Sequence, residues 1–274
     1  MMLRFLAFAI ALFSAGTAFA QTAGVPPEEL NNTRRLAGDS INVCFDVTSL
    51  GRPFDEDVAR AIGDALFLEV NVIDGFGGFP LNGDGFMDEL TLAMNNTCDV
   101  FMGVSVSANS PFSEAFALTR PYASIPFVFV ASDPAYQSLG DIPKDRPLGT
   151  AMASMGEMNY ITWAQQQPDG QSWVRYPYAD PDKMATRVLD GTIAGMIVWQ
   201  PAFSRVLAER SDADALRIID PSPLPEAFVR VGALVSSRNG FLRSQMDQAI
   251  DALVADGTIA ALLEKYGYEG KAGE

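Results

Sequence analysis

Short apolar runs and helical apolar stripes alternate along most of this chain. The first cycle consists of an apolar run at 41–45, a helical stripe and a second apolar run at 69–73. The stripe places apolar side chains on one helical face, at Val58, Ala61, Ile62, Ala65 and Leu66. Strand, helix and strand in this order predict a βαβ unit and therefore a parallel sheet.

The same alternation resumes in the second half of the chain. Asp180, Pro181 and Gly191 provide an N-cap, a first helical position and a C-terminal glycine for one of the helices there. Helical spacing near the C-terminus predicts that the chain closes on two helices. Apolar runs predict strands between the helices at 147–152, 174–178, 194–198 and 216–219.

The stretch 98–130 interrupts this rhythm. A buried strand is predicted at 99–104, and the polar side chains of Ser105, Ser107 and Asn109 follow its end. Open α/β sheets bind ligands beyond the carboxyl ends of their strands, so these side chains are candidate ligand contacts. A second apolar strand at 126–131 comes next without an intervening helix.

Two passages without a helix, near 122–126 and 226–231, predict that the chain leaves one α/β lobe and later returns to it. We therefore predict an α/β fold of two lobes joined by two hinge strands. Lobe 1 comprises 39–123 and 231–268, and lobe 2 comprises 124–230. The closing helices are expected to pack on lobe 1, and a tail is expected at 269–274.

The N-terminus has the pattern of a secretory signal peptide. Arg4 precedes an apolar segment at 5–15, and Ala18-Phe19-Ala20 forms a small-x-small cleavage site. We expect cleavage after Ala20, a loose arm at 21–38 and a periplasmic location. The apolar segment is too short to cross a membrane, and no later segment is a candidate span.

Composition excludes several classes of function. The chain has 34 acidic and 19 basic residues, a formal charge of −15, which argues against binding to nucleic acid or anionic membranes. It has no histidine, which removes Ser-His-Asp and Cys-His catalysis and most zinc sites. No catalytic residue, metal or cofactor is predicted, and the protein is expected to be a monomeric binding or accessory protein.

The only two cysteines, Cys44 and Cys98, lie on or just before predicted strands. If those strands are neighbours in a parallel sheet, a Cα separation of about 5–6 Å would suit a disulfide. A disulfide is also compatible with an exported protein. The alternative is two buried thiols.

Other candidate side chains each have a structural alternative. Asp46 ends the first strand as a ligand-facing carboxylate or a turn cap, and Ser105 and Ser107 point to one face of an extended segment. Arg120 is a cation for the cleft or a partner in an ion pair at the hinge. Trp199 ends a buried strand, where it stacks on a ligand or fills space. Phe76 and Phe79 lie in a glycine-rich loop as an aromatic lid, a partner surface or a local cluster.

Three stretches resemble the bacterial extracellular solute-binding proteins of family 3. They are Val43-Cys44-Phe45-Asp46 with Pro53-Phe54, 99–107 with Arg120-Pro121-Tyr122, and ALVADGTIAALLEKY at 252–266. The resemblance implies two α/β lobes that close on a ligand. It also implies that Asp46 lines the cleft, that Phe86 packs against the ligand and that Ser105 and Ser107 hydrogen-bond to it. The spacing of Phe86 alone is that of a core residue.

Two charged positions of the amino-acid binders in that family are missing. Their arginine after the hydroxyl pair corresponds to Ala108-Asn109-Ser110-Pro111, and their aspartate after a later strand corresponds to Trp199-Gln200. The arginine would clamp an α-carboxylate. The expected ligand is therefore a small molecule other than a standard α-amino acid, bound by Asn109, Arg120, Trp199 and Gln200 together with the residues named above.

A narrower similarity concerns Thr119–Tyr122, Phe127–Val130, Cys98–Val100 and Val198–Pro201. These segments resemble the J-type accessory proteins encoded beside quinoprotein methanol or alcohol dehydrogenases, which share the solute-binding fold. Two functions follow as expectations. One is delivery of a solute to an ABC permease, and the other is binding to a periplasmic quinoprotein dehydrogenase or its cofactor. An enzyme derived from this fold is a weaker alternative.

Overall fold

The computed structural model describes residues 38–74 and 84–274. The predicted signal peptide, nearly all of the N-terminal arm, and Phe76 and Phe79 lie outside these residues. Among the helices in the described ranges, none combines the length and the apolar character needed to cross a bilayer.

The described residues form an α/β fold of eleven strands and seven α-helices. The strands are β1 Ser40–Cys44, β2 Glu69–Ile73, β3 Val100–Ser105, β4 Phe116–Leu118, β5 Ala123–Ala131, β6 Leu148–Ala151, β7 Arg175–Tyr178, β8 Gly195–Trp199, β9 Arg217–Ile219, β10 Phe228–Ser236 and β11 Lys271–Ala272. The helices are α1 Arg52–Leu66, α2 Asp84–Asn96, α3 Met155–Ala164, α4 Pro181–Leu189, α5 Gln200–Glu209, α6 Gly240–Ala255 and α7 Thr258–Lys265. The mixed α/β class predicted from the sequence is confirmed.

The strands are hydrogen-bonded in the order β2-β1-β3-β10-β5-β8-β6-β7. At one end β1 is parallel to β2 and β3, and at the other end β6 is parallel to β7 and β8. We call β1–β4 with α1, α2, α6 and α7 the leading half, and β6–β9 with α3–α5 the central half.

Strands β5 and β10 connect the two halves. Residues 123–126 of β5 pair with β10, whereas residues 127–130 of the same strand pair with β8. Strand β10 in turn pairs with β3 through residues 231–235. The exact lobe boundaries at 123/124 and 230/231 stay a prediction.

Each half is a sheet covered by helices on both faces. In the leading half, Met246 and Ile250 of α6 and Ile259 of α7 share one core with Val58 and Ile62 of α1. The closing helices therefore pack on the leading half, as the sequence predicts. In the central half, α4 and α5 cover one face of the sheet and α3 with Trp173 covers the other.

The predicted disulfide is present between Cys44 and Cys98. The two Cα atoms are 5.8 Å apart. Strands β1 and β3 are parallel neighbours, which brings the end of β1 close to the residue just before β3. The bridge lies in the core between the sheet and α2, beside Phe86 and Leu90.

Two short strands have no signal in the apolar pattern. Strand β4 pairs with β10, and β11 pairs with β5. The hydroxyl of Ser124 also donates to the carbonyl oxygens of Gly273 and Glu274, at 3.1 and 2.7 Å. The predicted tail is therefore hydrogen-bonded to a strand that connects the two halves.

Candidate functional site at the junction of the two halves

The carboxyl ends of β1 and β8 meet where the two halves touch. Trp199 at the end of β8 approaches Gly51 in the loop after β1 so closely that a Cβ on Gly51 would lie 3.3 Å from Trp199 Cη2. Leu50 of the same loop packs against the core of the central half. The candidate site is built around this contact.

The loop after β1 is shaped by Asp46. Its Oδ1 accepts hydrogen bonds from the backbone N–H and the hydroxyl of Thr48, at 2.8 and 2.7 Å. Its carbonyl oxygen accepts from the backbone N–H of Ser49 at 3.0 Å. Asp46 thus caps a turn, which is the structural alternative considered for it, and a ligand contact by this residue stays a prediction.

A buried carboxylate, Asp55, lies behind this loop in the first turn of α1. It is 2% exposed, and its Oδ1 accepts a 2.6 Å hydrogen bond from the hydroxyl of Tyr122. The backbone N–H of Gly103 donates to the same hydroxyl at 3.1 Å. Gly103 has φ +77°, and a Cβ there would lie 2.6 Å from Asp55 Oδ2, so the position requires glycine.

Sequence reasoning treated Asp55 only as an acidic helix start and missed this group. Burial raises the pKa of Asp55 to about 7, the hydrogen bond from Tyr122 opposes that rise, and the charge of Glu56 adds to it. Burial and the adjacent carboxylate raise the pKa of Tyr122 well above its ordinary value. Asp55 is therefore a carboxyl group that exchanges its proton near neutral pH.

Trp199 is shared by the two halves. Its side chain packs against a core cluster of the leading half and against one of the central half. Its indole N–H is buried and has no hydrogen-bond partner among the residues that the structure describes. This packing matches the space-filling alternative for Trp199, and contact with a ligand stays a prediction.

Gln200 follows Trp199, and both the nitrogen and the oxygen of its side-chain amide form a hydrogen bond within the chain. Its Nε2 donates to the carbonyl oxygen of Gly267 at 3.1 Å, and its Oε1 accepts from the backbone N–H of Glu269 at 2.7 Å. The residue is 1% exposed. In this conformation Gln200 joins the start of α5 to the segment after α7, so its predicted ligand contact would require these bonds to break.

The polar side chains at the end of β3 remain accessible. Ser105, Ser107 and Asn109 are all exposed. The backbone N–H of Val106 donates to the carbonyl of Arg230 at 2.8 Å, which fixes this segment beside β10. These three residues are placed where a ligand could reach them, and their role in binding stays a prediction.

Arg120 and Phe86 lie elsewhere. The guanidinium of Arg120 pairs with Asp251 of α6, Nη1 to Oδ2 at 2.8 Å, which is the ion-pair alternative. Phe86 is fully buried and packs edge-on against Phe101, with ring centroids 6.3 Å apart. The structure therefore gives each of these residues its structural alternative and does not bring them to the contact between Trp199 and Gly51.

A groove of about 790 Å³ opens beside Trp199 and is walled by both halves. The loop 47–53 and the end of α7 form one wall, and α5 forms the other. Arg52, Arg205 and Lys265 line it, and the Nε atom of Arg205 is buried without a hydrogen-bond partner in the described part of the chain. No motif in the sequence identified this groove.

The groove cations are partly neutralised by carboxylates. Lys265 Nζ lies 2.6 Å from Asp57 Oδ2, and this contact lowers the pKa of Asp57. Arg205 lies 3.4 Å from Asp182, and Arg52 pairs with Glu56 and Asp74. The groove thus offers a mixture of hydrogen-bond donors and acceptors in which the cations already have carboxylate partners.

The central half has its own buried carboxylate, Glu157 in α3. Its Oε1 accepts from the hydroxyl of Thr150 and its Oε2 from the backbone N–H of Ala153, both at 2.8 Å. Arg175 forms an ion pair with Oε1. These bonds fix the turn between β6 and α3. Because β6 and β8 are parallel neighbours, this turn lies at the same edge of the sheet as the carboxyl end of β8.

Comparison with solved structures identifies the fold. The chain matches substrate-binding domain 2 of GlnP from Lactococcus lactis in its open conformation, with 17% identity, a TM-score of 0.64, and coverage of 85% of this chain and 97% of that one. It matches the unliganded L-cystine solute receptor of Neisseria gonorrhoeae with 22% identity, a TM-score of 0.61, and coverage of 87% and 95%. A histidine kinase sensor domain similar to periplasmic binding proteins also matches, with 16% identity, a TM-score of 0.54, and coverage of 84% and 96%.

These likenesses establish that the chain has the two-lobed fold of the periplasmic binding proteins, as the sequence predicts. The structures with this fold include a substrate-binding domain, a solute receptor and a sensor domain, so the fold by itself is compatible with more than one role. No protein-family model matches the sequence, and comparison with curated protein sequences finds no match.

Proposed function

We propose that this protein is a periplasmic solute-binding protein that captures a small ligand between its lobes for an ABC-type importer. The observation that carries the proposal is the groove of about 790 Å³, because its walls come from both halves. A ligand in such a groove contacts both lobes, so it can favour one arrangement of the lobes over another. The fold shared with solved binding proteins supports the same role.

The ligand that we propose is not a standard α-amino acid. Residues 108–111 contain no arginine to clamp an α-carboxylate, and the amide of Gln200 is already bonded to the backbone at 267 and 269. The groove is lined instead by the guanidinium of Arg205, the carboxylate of Glu209 and the hydroxyl of Tyr266, which already donates to Asp57. This mixture favours a small polar solute that both donates and accepts hydrogen bonds.

The proposed working motion is a rotation about β5 and β10, the strands shared by the halves. Hinge motion of this kind is a common response of two-lobed proteins to ligands. The contact of Trp199 with Gly51 and the bonds of Gln200 lie on the path of such a motion, so binding and lobe position are expected to be coupled.

Calorimetric unfolding in the presence of a solute library tests the proposal. A solute present at about 100 times its Kd should stabilise the protein by about 2.7 kcal/mol and raise Tm. The Arg205→Ala variant should lose that rise. Arg187→Ala is the matched control, because Arg187 forms an exposed ion pair with Asp190 outside the groove lining. Failure of every solute to raise Tm would overturn the import role.

The second candidate is an accessory protein of a periplasmic quinoprotein dehydrogenase. The specific observation in its favour is that Trp199 and Gln200, at the centre of the junction, are occupied by contacts within the chain. The formal charge of −15 would steer the protein toward a basic partner. Sedimentation with the purified dehydrogenase distinguishes the roles, since a complex supports this candidate and a monomer unaffected by the enzyme contradicts it.

A further inference from the structure

The segment that follows α7 contacts both halves and the strands between them. It leaves α7 at Gly267, whose backbone N–H donates to the carbonyl of Glu264 at 3.0 Å, and it reaches Ser124 of β5. We call residues 267–274 the strap. Its position is set by bonds to other elements as well as by the helix that it follows.

The first part of the strap is bonded to the central half through one side chain. The amide of Gln200, at the start of α5, donates to the carbonyl oxygen of Gly267 at 3.1 Å and accepts from the backbone N–H of Glu269 at 2.7 Å. Gln200 is buried, and a buried polar group that loses its partner costs free energy. These two bonds therefore oppose a movement of α5 relative to the end of α7.

The second part of the strap is bonded to the hinge strand β5. Residues 271–272 form β11, which pairs antiparallel with residues 123–124. The backbone N–H of Gly273 donates to the carbonyl oxygen of Tyr122 at 2.8 Å. The hydroxyl of Ser124, which is 4% exposed, donates to two carbonyl oxygens of the strap at 3.1 and 2.7 Å. The strap is thus attached to β5 where that strand pairs with β10, before it reaches β8.

Close packing holds the strap between these two attachments. A Cβ on Gly270 would lie 2.7 Å from the carbonyl oxygen of Ser124 and 3.2 Å from Leu263 Cδ2, so the strap passes between β5 and α7 at a residue without a side chain. Lys271 Nζ lies 5.6 Å from the ring centroid of Phe228 on β10, within the range of a cation–π contact. Both strands that connect the halves therefore contact the strap.

The two attachments lie on opposite sides of the proposed rotation. Gln200 belongs to the central half, whereas residues 123–124 pair with the part of β10 that is next to β3. A rotation that moves α5 away from α7 must break the bonds of Gln200 or pull the strap from β5. Hinge motions depend on a few residues that change conformation, and here such residues are bonded to a third strand.

We propose that the strap restrains rotation of the two halves and is released from Gln200 when they rotate. The groove gives a solute access to the strap, because Lys265, Tyr266 and Tyr268 line the groove and flank Gly267. A solute that shifts these side chains moves the residues that Gln200 binds. This link to a solute rests on the proposed function, whereas the restraint itself needs no solute.

Distances between spin labels test the proposal on the full chain without a solute. Both native cysteines are joined in the disulfide, so labels attach at Asp64→Cys in α1 and Lys183→Cys in α4, which are exposed positions. Double electron–electron resonance should give one main distance when the strap is intact. Gln200→Leu removes both amide bonds at similar volume, and Ser124→Ala removes the bonds to the strap. Each should raise the population at other distances by about fivefold, the effect of one ordinary hydrogen bond.

Ser132→Ala is the matched control, because its hydroxyl donates to the carbonyl of Val188 at 3.1 Å within the central half. It should leave the distance distribution unchanged. Gly270→Ala should broaden the distribution, since the added Cβ displaces the strap without deleting a bond.

Unchanged distributions in Gln200→Leu, Ser124→Ala and Gly270→Ala, at wild-type circular dichroism, would overturn the strap. Equal broadening in Ser132→Ala would also overturn it, because the loosening would then be unrelated to residues 267–274. If no solute raises Tm while the strap variants still broaden the distribution, the solute-binding role fails and the strap stands.

Discussion

Both halves of the molecule bury a carboxylate near their junction, but they compensate its charge differently. Glu157 in the central half is paired with Arg175 and also accepts from a hydroxyl and a backbone N–H. Asp55 in the leading half is more deeply buried and is bonded to the neutral phenol of Tyr122. An ion pair with a cation offsets the free energy of burying the carboxylate charge. A hydrogen bond from a neutral group offsets less of it, so the buried group favours its protonated form.

The comparison teaches that similar burial leads to different roles. Glu157 organises the turn between β6 and α3, and removing its charge would leave Arg175 without a partner. Asp55 sits between Gly103 and the contact of Trp199 with Gly51, where a change of one charge alters the surroundings of the junction. Variants of the two halves should therefore differ in stability and in the pH dependence of stability.

The largest expected difference between the halves comes from the disulfide, which only the leading half contains. Cys44 and Cys98 are 54 residues apart, and a closed loop of this length stabilises a fold by about 4 kcal/mol. Replacing both cysteines by alanine should lower the free energy of unfolding in urea by this amount, followed by far-ultraviolet circular dichroism. Reductant should affect the wild type and leave the double variant unchanged. A loss below about 1 kcal/mol would contradict this estimate.

A change of Glu157 to Gln should be the next largest effect. The buried pair loses one partner, which costs about 3–5 kcal/mol for a fully buried pair. Because Arg175 is 31% exposed, we expect a loss of about 2 kcal/mol in urea unfolding at pH 6. Asp55→Asn is the matched control and should lose less than about 1 kcal/mol, since a carboxyl group with a pKa of about 7 is mostly protonated at pH 6 and the change removes little charge there. An equal loss of unfolding free energy in Glu157→Gln and Asp55→Asn would refute the proposed difference between the two buried carboxyl groups.

The pH dependence of stability should distinguish Asp55 from its surroundings. The pKa of Asp55 is about 7 in the folded protein and about 3.9 in the unfolded chain. A carboxyl group whose pKa is higher in the folded protein than in the unfolded chain stabilises the folded state at low pH. This contribution is lost as the pH rises through the pKa of the folded protein. Relative to Asp55→Asn, the wild type should therefore lose about 1.4 kcal/mol between pH 6 and pH 8.

Asp57, two residues further along α1, provides the control for this pH effect. Its pKa is lowered by Lys265, so its contribution is present above the unfolded pKa and is lost only as the pH falls. Asp57→Asn should thus show no differential change between pH 6 and pH 8. A parallel change in both variants would show that Asp55 is not the titrating group.

The smallest expected effect is at Gly51. A Cβ at this position would lie 3.3 Å from Trp199 Cη2 and 3.4 Å from Asp55 Oδ2, so one neighbour must move slightly. Gly51→Ala should cost about 1 kcal/mol in urea unfolding. Gly240→Ala, which meets no atom within 4 Å, is the control and should cost nothing. A stabilising Gly51→Ala would mean that the junction is underpacked.

The sequence predicted features that depend on local chemistry or regular spacing. Asp180 caps α4 by accepting from the backbone N–H groups of Asp182 and Lys183, and Pro181 begins that helix, as expected. The disulfide followed from the adjacency of two strands. These predictions succeeded because each depends on residues close in sequence or on strand order alone.

Features that depend on long-range burial were missed. Asp55 meets Tyr122 across 67 residues, and Gln200 meets the backbone at 267 and 269. The sequence Asp55-Glu56-Asp57 at the start of a helix does not indicate that Asp55 is buried whereas Glu56 and Asp57 are half-buried. Strand β11 has two residues and was missed because so short a strand has no alternating pattern.

The distribution of tryptophan has a practical consequence. Trp163 and Trp173 stack in the central half with ring centroids 5.5 Å apart, and Trp199 lies at the contact with Gly51. The chain contains three tryptophans in all, and Trp199 is the one that packs against the core of the leading half. Emission that shifts when a solute is added, and no longer shifts in a Trp199→Phe variant, would report on the contact of Trp199 with Gly51. Trp199 would then serve as an intrinsic optical probe of the junction between the halves.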